Sequence, residues 1–381
     1  MDFSYTEEQT LLRNSVSKYI ADNYKYESWR KFTRNELGRD PIHWKQFAEL
    51  GLLAAPLPET DGGLGGGTVE TLIIMEEFGR ALVVEPFVPT VVIAGGLLAR
   101  AGSDALRSEW IAKIAGGETI IAFAFAESQG RYNPADLKTT AKKQGSGFVL
   151  NGHKAVVIAG PWADQLVVTA RTAGAQRDAK GVTVFLVDKK SKGISTRDYP
   201  TVDGHRACEV TFENVEVPGS RVVGTVDEGL PQIERALDEA IAATSAEACG
   251  AMKVLVDSTV EYSKQRKQFG VPIGKFQVLQ HRMVDMFMNY EQAVSIALMV
   301  TLKLDESDAE RAKAASAAKA HIGKASRFVG QEAVQIHGGM GMTDELNIGH
   351  YFKRLTVIDT LYGSTDHHLK RFATLSNAVA A

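Results

Sequence analysis

At 381 residues the chain exceeds the length at which a single hydrophobic core stops growing, so two or three domains are expected. It is 44% hydrophobic and 23% charged, an ordinary globular composition, and a net charge of −3 with pI near 6.3 gives no electrostatic footing for nucleic acid or an anionic membrane. Two cysteines, Cys208 and Cys249, lie far apart and match no metal-ligand spacing, which reads as buried thiols in a reducing compartment.

The amino terminus is acidic and polar, unlike a signal or transit peptide, and no apolar run reaches about 18 residues, so a cytosolic protein without a membrane span is expected. Thr6 and Gln9 have the spacing of a capping box, and Leu11, Leu12, Val16, Tyr19 and Ile20 follow at helical intervals. A second helical stretch runs through Trp44, Phe47, Leu50 and Leu52. Residues 53–67 carry too many Pro and Gly for helix or strand. They lack the Lys-Ser/Thr of a P-loop and read as a connector. Helices over 69–82, 93–101 and 110–115 then complete a first domain, ending at Gly116-Gly117.

From Ile120 the composition shifts to Val, Thr and Phe with turn residues at short intervals, the pattern of a small antiparallel β domain. Asn151-Gly152, between 148–150 and 154–158, predicts a hairpin with a type I′ turn, and further strands are expected over 166–170, 183–187 and 210–217. After Pro218 the pattern is helical again. Ile233, Leu237, Ile241, Ala248, Met252, Val256 and Val260 mark a long helix stopping near Arg266, followed by helices over 276–305, 309–337 and from 364 onward. Four long helices with short turns read as a bundle. The expected fold is therefore α+β, with a helical domain at 1–117, a β-barrel domain at 118–225 and a helical bundle at 226–381.

Two stretches of the bundle suggest a phosphate site. Gly338, Gly339 and Gly341, after Val334-Gln335-Ile336-His337, let backbone N–H groups approach a ligand with no Cβ between, although a Gly cluster after a helix is more often a plain C-cap and turn. Arg266-Lys267-Gln268-Phe269-Gly270 offers a guanidinium fork beside an aromatic ring and a Gly stop. The basic cluster Lys264, Arg266 and Lys267 is equally readable as compensation of a helix dipole.

Taken with Glu76-Glu77-Phe78-Gly79-Arg80, Asn151-Gly152-His153-Lys154 and Phe212-Glu213-Asn214-Val215-Glu216-Val217-Pro218, these segments resemble the acyl-CoA dehydrogenase family along almost the whole chain. The resemblance implies FAD as cofactor and an acyl-CoA substrate desaturated at its α,β-bond. It further implies that Arg266, Gln268, Phe269, Gln335, Ile336, Gly338 and Gly339 clamp the pyrophosphate of FAD in a neighbouring subunit, with Thr365 also at the cofactor.

The sequence departs from the family pattern at the base. Where many members carry Tyr-Glu-Gly-Thr, this chain has Tyr362-Gly363-Ser364-Thr365, with Gly363 in the place of the Glu. The alternative position on the first bundle helix falls at Ala240, with Ile241 beside it. The family's Thr-Glu-Pro-x-x-Gly-Ser-Asp loop reads Ala126-Glu127-Ser128-Gln129-Gly130-Arg131-Tyr132-Asn133, and its Trp-Ile-Thr strand reads Val156-Val157-Ile158, so no side-chain hydrogen bond can come from Ile158. The arms that resemble a partner-directed clamp are kept while the chain's own flavin and base positions are altered. That pattern resembles the small subunit of heteromeric enzymes such as pimeloyl-CoA dehydrogenase, working with a homologous dehydrogenase subunit.

The alternatives are a self-sufficient homo-oligomer with a displaced base and a flavin oxygenase on the same fold. For a displaced base, Glu247 lies seven residues after Ala240, roughly 10.5 Å along the same helix face, among small residues that would desolvate it. The favoured reading of Glu247 is a buried hydrogen-bond or ion-pair partner between helices, since a buried Glu is usually paired. Asp366 is the other candidate, or a plain helix cap. His367-His368 point about 100° apart on a helix and read as a solvated face. His337 reads as a capping or packing residue, and Met283, Met286 and Met288 as core.

Overall fold

Thr6 starts the first helix as its spacing predicts, the Gln9 N–H donating to its hydroxyl at 3.2 Å and its own N–H donating to the Gln9 side chain at 3.1 Å. The computed structural model describes residues 4–380. The helices before the sheet are α1 (Glu7–Asn23), α2 (Tyr26–Phe32), α3 (Pro41–Glu49), α4 (Thr68–Ala81), α5 (Gly96–Ala101) and α6 (Asp104–Ala115), and a π-helix, Val88–Gly95, leads into α5. Strands β1 (Ile121–Ala124), β2 (Thr140–Gln144), β3 (Gly147–Ile158), β4 (Gln165–Arg171), β5 (Val182–Asp188), β6 (Ile194–Pro200), β7 (Arg206–Pro218) and β8 (Val222–Val223) follow. Then come α7 (Leu230–Gln265), the short pair β9 (Lys267–Gln268) and β10 (Val271–Pro272), α8 (Gln277–Lys303), α9 (Asp308–His337), α10 (Ile348–Thr360) and α11 (Thr365–Ala380). The order helical, β, helical is the expected α+β fold.

The chain divides into two compact units. One comprises residues 1–30, 68–83 and 241–381. In it α9 is flanked by α8, α10 and α11, and Ile241, Val300, Leu304, Ala315 and Ala318 form a dry core. Helices α4 and α7 meet backbone to backbone: a Cβ added at Gly79 would lie 1.9 Å from the Glu247 carbonyl oxygen, and one at Gly250 1.9 Å from that of Glu76. Only glycine fits at either place. Five long helices follow the sheet rather than four, since α10 was not anticipated. Of the three methionines expected in the core, Met286 is buried and Met288 is exposed.

The other unit, residues 31–67 and 84–240, is built on an eight-stranded sheet of order β6-β7-β3-β2-β4-β5-β8, with β1 added parallel to β4. The hairpin expected at Asn151-Gly152 is not there. The turn falls six residues earlier, at Gly145-Ser146, and β3 continues through Asn151 and Gly152. The pair has another use. Asn151 accepts the Asn214 N–H on its side-chain oxygen at 2.8 Å, and Gly152 sits at a register shift where a Cβ would lie 2.5 Å from the Thr139 hydroxyl. An Asn-Gly that fits a I′ turn also fits a β-bulge, and the tertiary contact decides.

Candidate functional site

The two segments expected to clamp a pyrophosphate lie in the helical unit. Arg266 follows α7 directly, its N–H still bonded to the Tyr262 carbonyl at 2.9 Å. The chain then reverses through β9 and β10, with Phe269 (φ +54°) and Gly270 (φ +79°) as the two left-handed residues of a tight turn. Phe269 is thereby thrust out, 92% exposed, and Arg266 and Gln268 are exposed with it. A non-glycine residue in the left-handed region is uncommon, and here the turn presents the Phe269 ring to solvent with its edge contact on Phe276 at 6.1 Å.

At the end of α9, Gly338 takes φ +60° and ψ −140°, a conformation reserved for glycine. A Cβ added at Gly338 or Gly339 would meet nothing within 4 Å. Gln335 is exposed and Ile336 buried beneath it. The segments, seventy residues apart in sequence, share a root: the Tyr262 ring stacks on His337 at 4.4 Å between centroids, and its hydroxyl donates to the His337 carbonyl at 3.4 Å. Tyr262 was missed by sequence reading, although it stands one helical turn before Arg266.

The position expected to lack a base is also in this unit. Gly363 is buried with φ +120°, and a Cβ there would lie 2.3 Å from His368 Nε2. The two histidines expected on a solvated face are not there: His368 is buried and His367 half-buried, because α11 turns that side onto α9. His368 Nε2 donates to the Tyr362 carbonyl at 3.0 Å, and burial lowers its pKa to about 3, so the ring is neutral. Lys319 lies below the turn. Its ammonium donates to the Ile358 and Asp359 carbonyls, 2.8 Å each, capping α10, and burial brings it down to about 8 against the pull of Asp359. Thr365 donates its hydroxyl to Asp359 at 2.7 Å, while Asp366 is exposed in the first turn of α11.

Ala240 and Ile241 are both fully buried. Glu247 is buried too, and Arg354 on α10 meets it with two bonds, Nε at 2.5 Å and a terminal nitrogen at 2.8 Å. Both carboxylate oxygens are engaged.

In the sheet unit, Val156 stands at a break in the β3–β7 register with φ +52° and 53% of its surface exposed. A β-branched residue left-handed is an outlier of the kind that collects at functional sites. Ile158 is half-buried nearby. The 126–133 loop is anchored by Glu127, whose carboxylate accepts from Lys154 at 2.7 Å, Gln129 and the Lys138 N–H at 2.8 Å, and the Thr139 N–H at 3.1 Å. Burial raises its pKa, but the Lys154 charge and these bonds outweigh that and hold it at about 2. The pair was legible as two separate motif residues but not as a pair. Because the folded carboxyl lies below its ordinary 4.5, the stability it contributes is complete above that pH and lost as pH falls toward 2. Urea midpoints from pH 6 to 2.5 should show this acid limb, and the double variant Glu127→Gln/Lys154→Met should flatten it; an unchanged limb would assign it to other carboxylates.

Three family models cover nearly the whole chain: the acyl-CoA dehydrogenase N-terminal domain over residues 6–118, the middle domain over 122–215 and the C-terminal domain over 227–374. The isovaleryl-CoA dehydrogenase of Oryza sativa subsp. japonica is 30% identical over 369 residues, 96% of this chain and 89% of the relative. The chain belongs to the acyl-CoA dehydrogenase family. The mitochondrial isovaleryl-CoA dehydrogenase of Pongo abelii is 28% identical, over 95% of this chain and 86% of its own length. Among solved structures, a chain of the ChsE4-ChsE5 complex from Mycobacterium tuberculosis aligns with a TM-score of 0.90 at 25% identity, covering 99% of both chains.

With acyl-CoA dehydrogenase membership comes the cofactor FAD. The residues of the two segments fit it: an exposed guanidinium, an exposed aromatic and two glycines whose Cβ positions open onto free space are groups able to hold a pyrophosphate. No helix among the described residues is long and apolar enough to cross a membrane, and no group of three or more His, Cys, Asp or Glu among them is placed to hold a metal.

Proposed function

We propose that this chain is the non-catalytic subunit of a heteromeric, FAD-dependent acyl-CoA dehydrogenase, similar to the small subunit of pimeloyl-CoA dehydrogenase. Its arms complete the cofactor site of a homologous partner. The observation that carries the reading is Gly363: the position has no carboxylate, its backbone suits only glycine, and the His368 ring fills the space a side chain would need. Ala240 and Ile241 are apolar, and Glu247 is taken up by Arg354. Asp366 remains as an exposed helix-start residue. A relative solved as a two-component complex over its full length is in keeping with the reading.

In this reading FAD, when bound, supplies the acceptor for the hydrogen that leaves the β-carbon of the acyl thioester. Arg266 pairs with a phosphate, Gln268 and Gln335 add polar contacts, and Phe269 shields the pyrophosphate from water. Gly338 and Gly339 let backbone N–H groups approach it. The α-proton goes to a carboxylate of the partner, because this chain places none at the family position. Domain limits of 1–117, 118–225 and 226–381 and a cytosolic setting belong to the same proposal.

Expressed alone, the chain should retain little FAD and desaturate no acyl-CoA from a panel of short, branched and long thioesters. Co-expressed with a homologue carrying the Tyr-Glu-Gly-Thr glutamate, it should copurify with bound flavin and turn over. A yellow, active homo-oligomer would overturn the reading.

A further inference from the structure

We propose that Tyr262 and His337 are a positioning pair: their stacked rings form a strut that fixes the spacing of the two phosphate-directed arms. The inference rests on the reading above, in which those arms hold FAD.

At the tips the Phe269 ring meets Phe276 edge-on at 6.1 Å, a contact within its own arm that does not reach the other. A Cβ at Gly270, Gly338 or Gly339 would meet no atom within 4 Å, and β9 and β10 are two residues each, too short to be stable as an isolated hairpin. What joins one arm to the other is the contact at their roots, and that contact is these two rings. Arg266 lies one turn beyond Tyr262 and is tied to it by the 2.9 Å backbone bond, so the guanidinium inherits the orientation of that turn. Gly338 is bonded covalently to His337. The rings stack at 4.4 Å with 28° between planes, and the Tyr262 hydroxyl reaches the His337 carbonyl, the last before the glycine turn.

His337 is itself held. It is buried, and Nδ1 lies 2.8 Å from the Ala333 carbonyl, which can only accept, so Nδ1 carries the proton and the ring plane is fixed to α9. Burial lowers its pKa, in keeping with a neutral ring packed on tyrosine. A forked contact to a pyrophosphate tolerates displacements of only about half an ångström, so a ring pair that fixes two arms governs affinity without touching the ligand.

The test uses the co-expressed complex. FAD dissociation is measured by fluorescence for wild type, Arg266→Ala, Tyr262→Ala, His337→Ala, their double variant, and the ring-preserving Tyr262→Phe and His337→Phe. Expected are a loss of about tenfold in FAD affinity for each ring-deleting variant, little change for either Phe variant, and a double variant no worse than the singles. Amide exchange in the chain alone, with no flavin needed, should quicken over Lys267–Gln268, at Val271 and over Gly338–Met342 in Tyr262→Ala and not in Tyr262→Phe. If Arg266→Ala weakens FAD while the ring-deleting variants bind as wild type, the strut is refuted and the arms stand. If Arg266→Ala also has no effect, the reading of the arms falls, and the strut with it.

Discussion

Arg354→Met should lower the unfolding free energy by about 3–5 kcal/mol, because it strands the buried Glu247 carboxylate, to which no other cation among the described residues is bonded. Both partners are buried, Glu247 2% and Arg354 7% exposed, so the stranded carboxylate would lie away from bulk water. Glu247→Gln keeps the shape and one acceptor and should cost less, about 1–3 kcal/mol. The double variant Glu247→Leu/Arg354→Met should recover most of the loss, since a buried ion pair exchanged for packed apolar groups is often neutral. Urea unfolding of the four proteins measures this. The same set separates an ion-pair partner from a proton acceptor. Glu247→Gln in the co-expressed complex should lose stability and keep turnover per folded molecule; a variant as stable as wild type but unable to turn over would make Glu247 the base.

The ion pair also shows where the sequence was readable and where it was not. The long helices α7, α8 and α9 follow from apolar residues at helical intervals, and the glycines at 338, 339 and 341 do turn the chain after α9. Helix α10 was missed although Ile348, Tyr351, Leu355 and Ile358 are buried at helical spacing, because Arg354 and Asp359 sit in the same buried row and blur the apolar stripe. Both charges have partners far away in sequence, Glu247 for Arg354 and Arg327 at 3.5 Å for Asp359, which no local pattern reveals. The misread Asn151-Gly152 has the same origin. Its local preference admits both turn and bulge, and Thr139 and Asn214 select the bulge. The arms were legible as composition; their common root in Tyr262 and His337 was not, since stacking depends on how α7 and α9 cross.

Gly363→Glu should not restore a base. At φ +120° an L side chain is strained by about 1–3 kcal/mol wherever it points, and here its Cβ would lie 2.3 Å from His368 Nε2 and 2.9 Å from His367 Cδ2. His368 cannot easily yield: it is buried, and its Nε2–H is bonded to the Tyr362 carbonyl, so moving the ring strands a donor and an acceptor together. The variant is expected to be several degrees less stable by thermal unfolding and inactive alone. Adding His368→Ala removes the overlap but leaves the backbone strain, so stability should return only in part. The turn is held in place regardless by Lys319 on the α10 carbonyls and by Asp359 on Thr365, which argues that a restored carboxylate would still project from the wrong backbone conformation. Flavin reduction by acyl-CoA in anaerobic single-turnover experiments decides it. In the co-expressed complex Gly363→Glu should leave the rate at whatever the partner's glutamate provides, whereas flavin reduction by Gly363→Glu expressed without a partner would show that this chain needs only a carboxylate to be an enzyme.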